Sequence, residues 1–312
     1  MSNFFVALYA VLPMFIMLAI GFTVRKMKVI EEAHLPVLNK IVFNVFFPFL
    51  MFNNIYAFDL SADFNASLLL YAVVAVAVIY GLSVGFALIF EKSNKSRGAL
   101  IQAIYRSNFV LMGLPIVGNI FGSGRLGMTS MLVTVIVPMY NILAVITLEV
   151  FRGESIKITK ILKGIVTNPL IIGSVAGILF AVFGIKLPEI AESVISDMAS
   201  AATPLALIVL GASFEFASIK RYKKNLIAVI FARLIIVPAI SLSVAIMIGF
   251  MGIDLVLLIG IFASPCAVSS YTMARQMDSD YELSAGTVVF TTMLSCFTLF
   301  GWIYFLKELN FF

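Results

Sequence analysis

The strongest constraint in this sequence is a succession of unbroken apolar runs, each about as long as a membrane-crossing helix. An α-helix needs about 20 consecutive apolar residues to cross the roughly 30 Å hydrocarbon core of a bilayer. Apolar residues make up 62% of the 312 residues and charged residues only 12%, which excludes a soluble globular fold. A membrane β-barrel is also excluded, because its strands alternate apolar and polar residues over about ten positions. The sequence therefore predicts an all-α integral membrane protein.

Charged and turn-forming residues divide the apolar runs into ten predicted transmembrane helices. Their ranges are 4–24, 36–55, 66–90, 98–121, 126–149, 161–183, 189–214, 223–249, 254–276 and 283–306. Sixteen of the 21 basic residues lie in or beside the connections that follow odd-numbered helices, and only three lie on the other side. Because basic connections stay in the cytoplasm, we expect a multi-pass protein of the cytoplasmic (inner) membrane with both termini outside the cytoplasm.

Proline and glycine positions indicate that the second half of the chain repeats the first. Three pairs match at offsets of 156, 156 and 150 residues: Leu12-Pro13 with Asn168-Pro169, Pro48 with Pro204, and Pro115 with Pro265. Each half then holds five helices, and because five is odd, the second half enters the membrane in the opposite orientation. We predict one membrane domain made of two inverted five-helix repeats, residues 1–155 and 156–312. Coincidence is the alternative, since prolines are common in membrane helices.

The mid-helix prolines of predicted helices 4 and 9 point to a binding site. A proline lacks an N–H and frees a carbonyl one turn earlier, and in hydrocarbon such groups need another partner. A helix interrupted there presents free N–H groups that suit an anion such as a carboxylate. The alternative for each proline is a packing kink. The substrate-binding candidates of the two breaks are Asn108, Gly113, Pro115, Ser264, Pro265, Cys266 and Ser269.

Four further polar residues of the predicted helices compete for the same site. Tyr140 and Asn141 are substrate-binding candidates, and the asparagine amide must bond either a neighbouring helix or the substrate. Arg106 is a secondary candidate, because a buried arginine is costly unless it is paired; in the alternative, its side chain extends to the cytoplasmic surface. Asn44 is the other secondary candidate, and its amide, like that of Asn141, must bond either a neighbouring helix or the substrate.

Several other patterns have structural interpretations. The small-residue spacings from Gly81 to Gly85 and from Gly173 to Gly177 are predicted to mark close helix packing. The single histidine and the two cysteines within apolar runs offer no metal site or disulfide framework, so we expect no cofactor. The net charge of +5 reflects membrane topology, so no nucleic-acid partner is expected.

Motifs in several helices resemble the auxin efflux carrier family, which includes plant PIN-type exporters and bacterial permeases. The similarity extends over essentially the whole chain. It is carried by Asn108 to Pro115 with Met112-Gly113-Leu114-Pro115, Ala263-Ser264-Pro265, Met273-Ala274-Arg275, Thr287 to Ser295, Ala202-Thr203-Pro204-Leu205-Ala206-Leu207, Gly211-Ala212-Ser213, Phe47-Pro48 and Tyr140-Asn141-Ile142-Leu143.

The resemblance implies two inverted five-helix repeats in which helices 4 and 9 unwind where they cross. It implies carboxylate substrates, such as indole-3-acetate in plants and malate or malonate in bacteria, and it suggests a homodimer. Asn108 would hold the substrate carboxylate, and Phe47 with Pro48 would line its pocket. The short fifth connection favours the prokaryotic branch.

These observations together predict a carrier that moves a small organic anion across the lipid bilayer by alternating access. The alternative is a sodium- or proton-coupled carrier of another small solute, although no carboxylate lies between Gly98 and Phe121 or between Leu255 and Met277. Ion coupling is therefore left open. A membrane receptor would need an output segment, and an enzyme would need clustered Asp, His or Cys in its helices, so we expect no enzymatic activity.

Overall fold

The computed structural model describes residues 3–56, 65–121, 127–153 and 158–312. Within these ranges the chain forms helices and no β-strand, which confirms the all-α prediction. Helices are the expected solution for so apolar a chain, because a helix satisfies its own backbone N–H and C=O groups where no water is available.

The described residues of the first half of the chain form seven α-helices. They are α1 (Asn3–Lys26), α2 (Leu35–Ile41), α3 (Phe47–Tyr56), α4 (Ala66–Phe90), α5 (Asn94–Tyr105), α6 (Phe109–Phe121) and α7 (Gly127–Val150). A π-helical turn, Val42–Phe46, joins α2 to α3 without a break.

The second half forms eight helices. They are α8 (Ile158–Thr167), α9 (Pro169–Val182), α10 (Glu189–Ser213), α11 (Phe216–Phe231), α12 (Val237–Ile248), α13 (Gly252–Phe262), α14 (Val268–Gln276) and α15 (Tyr281–Glu308). A second π-helical turn, Ala232–Ile236, joins α11 to α12.

Six helical segments of the described chain are long and apolar enough to cross a membrane, or seven if the bent pair α8 and α9 counts as one. The two helices of that pair meet at 58°. Asn168 stands at the bend and caps α9, since its side-chain oxygen accepts hydrogen bonds from the N–H groups of Leu170 and Ile171. The protein is thus a multi-pass membrane protein, and the arrangement of ten spans stays a prediction.

The helices overlap each predicted range but divide some of them differently. Predicted helix 4 is split into α5 and α6, and predicted helix 9 into α13 and α14. Predicted helix 8 begins earlier, at Phe216. The predicted boundary between the two halves, at 155/156, and the basic residues Arg125 and Lys157 lie outside the described residues.

Glycines bring two pairs of helices into backbone contact. A Cβ atom added at Gly21 of α1 would lie 2.0 Å from the carbonyl oxygen of Ile208 in α10. A Cβ atom at Gly177 of α9 would lie 2.9 Å from the carbonyl oxygen of Phe52 in α3. Only glycine permits backbones to approach this closely, as is common between membrane helices.

The packing prediction holds for one of the two glycine pairs. A Cβ atom at Gly173 would lie 2.3 Å from the carbonyl oxygen of Pro48, so Gly173 and Gly177 both pack against α3, as predicted. At Gly81 and Gly85, an added Cβ atom would meet no atom of the described chain within 4 Å, so the prediction is wrong for this pair. Spacing alone does not show which helix face meets a neighbour.

Glycines at a close helix contact and glycines on an open helix face should respond differently to replacement by alanine. Gly21→Ala is expected to destabilise the protein by about 1–3 kcal/mol, because the new methyl group forces two helix backbones apart. Gly81→Ala is expected to be neutral or to stabilise the fold by up to about 1 kcal/mol, because alanine favours a helix over glycine. Thermal unfolding of the purified variants in detergent measures both, and equal melting temperatures would contradict the close contact between α1 and α10.

Candidate functional site

The two interrupted helices meet at their breaks. The Asn108 N–H donates to the Pro265 carbonyl at 2.8 Å, and the Ala267 N–H donates to the Arg106 carbonyl at 3.4 Å. Ser107 and Cys266 lie opposite each other in this short antiparallel bridge. The unwound segments thus satisfy part of each other's backbone hydrogen bonding, which membrane-embedded chain requires. The two breaks form one crossover.

The first break does not occur at its proline. α5 ends at Tyr105 and α6 begins at Phe109, so Pro115 lies inside a continuous helix. The prediction that Pro115 interrupts helix 4 is therefore wrong, whereas Pro265 does lie in the second break. Membrane helices tolerate an internal proline because neighbouring groups can satisfy the freed carbonyl.

Arg233 binds the carboxyl-terminal ends of the two half-helices that enter the crossover. Its side chain is 0% exposed. Nε donates to the Ser264 carbonyl at 2.8 Å, Nη2 to Ile261 at 2.8 Å, and Nη1 to Ile104 and Tyr105 at 3.2 and 3.4 Å. Carbonyls at a helix end lack intrahelical partners and carry the negative end of the helix dipole. One buried cation therefore neutralises both negative ends.

The amino-terminal ends of the other two half-helices, α6 and α14, border a cavity of about 90 Å³. The first N–H groups of a helix have no intrahelical acceptor and carry the positive end of its dipole. This small cavity is lined by Phe47, Leu50, Met51, Asn54, Arg106, Ser107, Asn108, Phe109, Val110, Leu111, Val137, Tyr140, Asn141, Thr203, Ala206, Ala267, Val268 and Ser269. No acidic residue is among them.

Arg106 adds a formal positive charge to the small cavity. The residue is 3% exposed, so the alternative in which its side chain reaches the cytoplasmic surface is wrong. Its guanidinium donates to Gln102 Oε1 at 3.1 Å, to the Met273 sulfur at 2.9 Å and to Asn141 Oδ1. All three acceptors are neutral. A buried arginine held in this way is suited to an anionic ligand.

Asn141 and Tyr140 bond neighbouring helices and also line the cavity. The Asn141 amide nitrogen lies 3.4 Å from the Met51 sulfur, while its oxygen accepts the hydrogen bond from Arg106. The Tyr140 and Ser107 hydroxyls lie 3.2 Å apart. Both residues therefore serve to hold the wall of the cavity and its charged group in place.

The predicted candidates fall into four groups. Six of them line the small cavity: Phe47, Arg106, Asn108, Tyr140, Asn141 and Ser269. Pro115 lines a neighbouring larger cavity. Asn44 is exposed and donates to the carbonyl of Lys40 in the preceding turn, so it lies away from both cavities.

The remaining candidates line neither cavity: four of them lie at the crossover, and Pro48 lies where α3 packs against α9. Gly113 packs against Gly260, and Pro48 packs against Gly173. The hydroxyl of Ser264 donates to the Gly260 carbonyl. The Pro265 carbonyl and Cys266 take part in the bridge described above, and the Cys266 N–H also donates to Thr291 Oγ1 at 3.1 Å.

Other residues of the site were missed in the sequence, among them Asn54, Thr203 and Arg233. Asn54 and Thr203 line both cavities, and Arg233 supports the crossover. Each carried a signal: Asn54 follows another asparagine in an apolar run, Thr203 precedes one of the repeat-matched prolines, and Arg233 is a charge inside an apolar run. A charge in a membrane helix is a functional candidate in its own right.

The larger cavity, about 600 Å³, adjoins the small one and shares Leu50, Asn54, Leu111 and Thr203 with it. Asn119 near the end of α6 also lines it. Asn119 and the basic residues Lys95 and Arg97 at the start of α5 lie at opposite ends of the segment formed by α5 and α6.

Hydrogen bonds between helices close the crossover toward the basic connections. The Tyr271 hydroxyl of α14 donates to the Ser213 hydroxyl of α10, and Arg275 donates to both oxygens at 3.0 and 3.3 Å. The Asn39 amide of α2 donates to the Thr272 carbonyl at 3.2 Å. In the described part of the chain, no cluster of His, Cys, Asp or Glu side chains could hold a metal ion.

Apolar helices that surround two crossing, interrupted helices and a buried cationic cavity define a helical membrane transporter. A family described as "Membrane transport protein" matches residues 6–303. The chain belongs to this family, and the resemblance to the auxin efflux carriers and their permease relatives is confirmed.

Relatives agree with this assignment. An uncharacterized transporter of Methanothermobacter thermautotrophicus is 25% identical over 298 residues, which cover 94% of this chain and 96% of the relative. An uncharacterized transporter of Methanocaldococcus jannaschii is 24% identical over 305 residues, 94% of this chain and 97% of the relative. A putative malonate transporter of Rhizobium meliloti is 24% identical over 149 residues, 47% of either chain.

Proposed function

We propose that this protein is a secondary-type carrier of a small organic anion, and that the anion binds in the small cavity at the crossover. One observation carries the proposal: the Arg106 guanidinium and the positive ends of α6 and α14 converge on a cavity whose lining contains no acidic residue. Buried positive charge that the protein does not neutralise favours an anionic ligand. A cation would have no counter-charge in this cavity.

The size of the small cavity favours a short aliphatic acid over an auxin-like acid. A cavity of about 150 Å³ accommodates benzene. The volume here is about 90 Å³, so an indole ring would have to extend well into the larger cavity, whereas a short carboxylate such as malonate or malate extends only slightly toward it. The name of the Rhizobium meliloti relative, a putative malonate transporter, supports this choice.

We further propose that the chain forms ten spans in two inverted five-helix repeats. Two helix contacts support this, because they map onto each other under the proline offset of 156 residues. Gly21 packs against Ile208, and Gly177 packs against Phe52. Gly177 lies 156 residues after Gly21, and Phe52 lies 156 residues before Ile208, so the two contacts are equivalent in the two halves. If the proline pairs matched only by coincidence, there would be no reason for equivalent helix contacts at the same offset.

Transport would proceed by alternating access around the crossover. The larger cavity opens the small one away from the basic connections, while the cluster of Ser213, Tyr271 and Arg275 closes it toward them. If the protein lies in the inner membrane with its basic connections in the cytoplasm, the described conformation faces outward. Both chain termini then lie outside the cytoplasm. Release inside would require that cluster to separate.

The proposal is tested by measuring charge movement in liposomes that contain the purified protein. We expect concentration jumps of malonate or malate, without a sodium or pH gradient, to produce saturable movement of negative charge, and indole-3-acetate to produce none. Parallel uptake of the radiolabelled anions detects electroneutral transport. Absence of both signals for every anion in folded protein would refute the proposal, and signals that require sodium would establish coupled transport.

A further inference from the structure

Arg106 carries a positive charge on the wall of the small cavity, and no carboxylate of the described residues pairs with it. Its three hydrogen-bond acceptors are a glutamine oxygen, an asparagine oxygen and a methionine sulfur. The ion pairs of the described chain are formed by Arg25, Lys95, Arg152 and Arg221, all at or near the surface. Arg106 is thus a buried cation without a carboxylate partner among residues 3–56, 65–121, 127–153 and 158–312.

The guanidinium keeps donors for such a counter-ion. It has five N–H groups in a planar fork that matches a carboxylate. The structure assigns two of them to oxygen acceptors and one to a weakly accepting sulfur, and it shows no acceptor for Nε within the described residues. Because Arg106 lines the small cavity, these donors are available to a bound anion.

A second, separate group of donors borders the same cavity. Within the described chain, the hydrogen-bond acceptor of the Asn108 amide nitrogen is the Met14 sulfur at 3.9 Å, which is a weak contact. Around Asn108 lie the first residues of α6 and of α14, Ser269 among them. These helix starts and the asparagine amide suffice to bind one carboxylate without Arg106. The cavity therefore offers two places for anionic oxygens.

We propose that Arg106 is the residue that selects substrates with two carboxylates: it binds the second carboxylate while Asn108 and the starts of α6 and α14 bind the first. This inference rests on the proposed anion-carrier function and extends it by specifying the charge of the substrate. A dicarboxylate pairs with the guanidinium, whereas a monocarboxylate leaves it buried and unpaired. The difference in affinity follows from that one ion pair.

The test compares malonate with monomethyl malonate, which keeps the carbon skeleton but has one negative charge fewer. Half-saturating concentrations are read from charge movement in liposomes at neutral pH. Wild-type protein is expected to prefer malonate at least ten-fold. Arg106→Gln is expected to reduce this preference below about three-fold through weaker malonate binding, with the half-ester little affected. Arg221→Gln is the matched control, since this side chain is 70% exposed, and it should keep the wild-type preference.

Two outcomes would overturn the inference while leaving the anion-carrier function in place. The first is a wild-type protein that carries both compounds with equal affinity. The second is an Arg106→Gln protein whose affinity falls equally for malonate and for the half-ester. Arg106 would then bind the carboxylate that the two compounds share. If Arg106→Gln does not fold, Arg106→Lys replaces it: lysine keeps the charge without the fork, so malonate should bind more weakly yet still better than the half-ester. If the wild-type protein transports none of the anions, the proposed function itself is refuted.

Discussion

Replacing Arg233 by methionine is expected to destabilise the protein by about 3 kcal/mol or more, because carbonyl oxygens at the ends of two half-helices lose their donor in a buried site. Arg233 donates to the carbonyls of Ile104, Tyr105, Ile261 and Ser264. Methionine replaces the apolar stem of the arginine side chain, so the loss reports chiefly on the hydrogen bonds and the charge of the guanidinium. Thermal unfolding in detergent measures it.

Arg221→Met is the control for this experiment. The Arg221 side chain is 70% exposed and pairs with Glu282 at 3.5 Å on the surface. Surface ion pairs contribute little, so its melting temperature should stay close to that of wild type. Equal melting temperatures for the two variants would show that Arg233 does not support the crossover.

Replacing Asn108 by alanine is expected to weaken binding of the transported anion at least ten-fold while the fold is kept. A hydrogen bond to a charged group contributes about 1.5–3 kcal/mol, and 1.4 kcal/mol corresponds to a factor of ten. The fold should survive because the one hydrogen bond of the Asn108 side chain among the described residues is a weak one to the Met14 sulfur, at 3.9 Å, and because alanine keeps the backbone N–H that bonds Pro265. Concentration dependence of the liposome currents measures the affinity.

Asn44→Ala is the matched control, because Asn44 is also an asparagine of a predicted helix but is exposed and bonds its own helix at Lys40. Its affinity for the anion should lie within about two-fold of wild type, a difference of under 1 kcal/mol. If folded Asn108→Ala protein binds the anion as tightly as Asn44→Ala protein does, Asn108 does not belong to the binding site.

Helix positions could be predicted from the sequence because membrane burial leaves the backbone little choice. An apolar run of helix length has to satisfy its own N–H and C=O groups, and so it forms a helix. The position of the first break could not be predicted in the same way. It depends on the bridge from Asn108 to Pro265 and on Arg233, which are distant in sequence, and not on the local effect of Pro115.

From the residues alone, the candidate site could be predicted only where a polar residue was unusual for its apolar surroundings, whereas Phe47 was predicted through the family resemblance. Asn108, Arg106 and Asn141 are polar groups in apolar helices, and all three line the small cavity. The role of Arg233 was not visible, because the four carbonyls that it binds converge only after α5 and α13 have come together. The helix face that Asn44 occupies was equally hidden, since its spacing fits either an inward or an outward position.

The contacts that hold the fold together run between the two halves of the chain, and this has a consequence for biosynthesis. Gly21 packs against Ile208, Asn108 bonds Pro265, and Arg233 bonds Ile104. The first half leaves the ribosome before any of its partners exist. At about 5–20 residues per second, it waits roughly ten to thirty seconds for the second half. During that interval the carbonyl end of α5 lacks its arginine, so the nascent protein depends on the insertion machinery for protection.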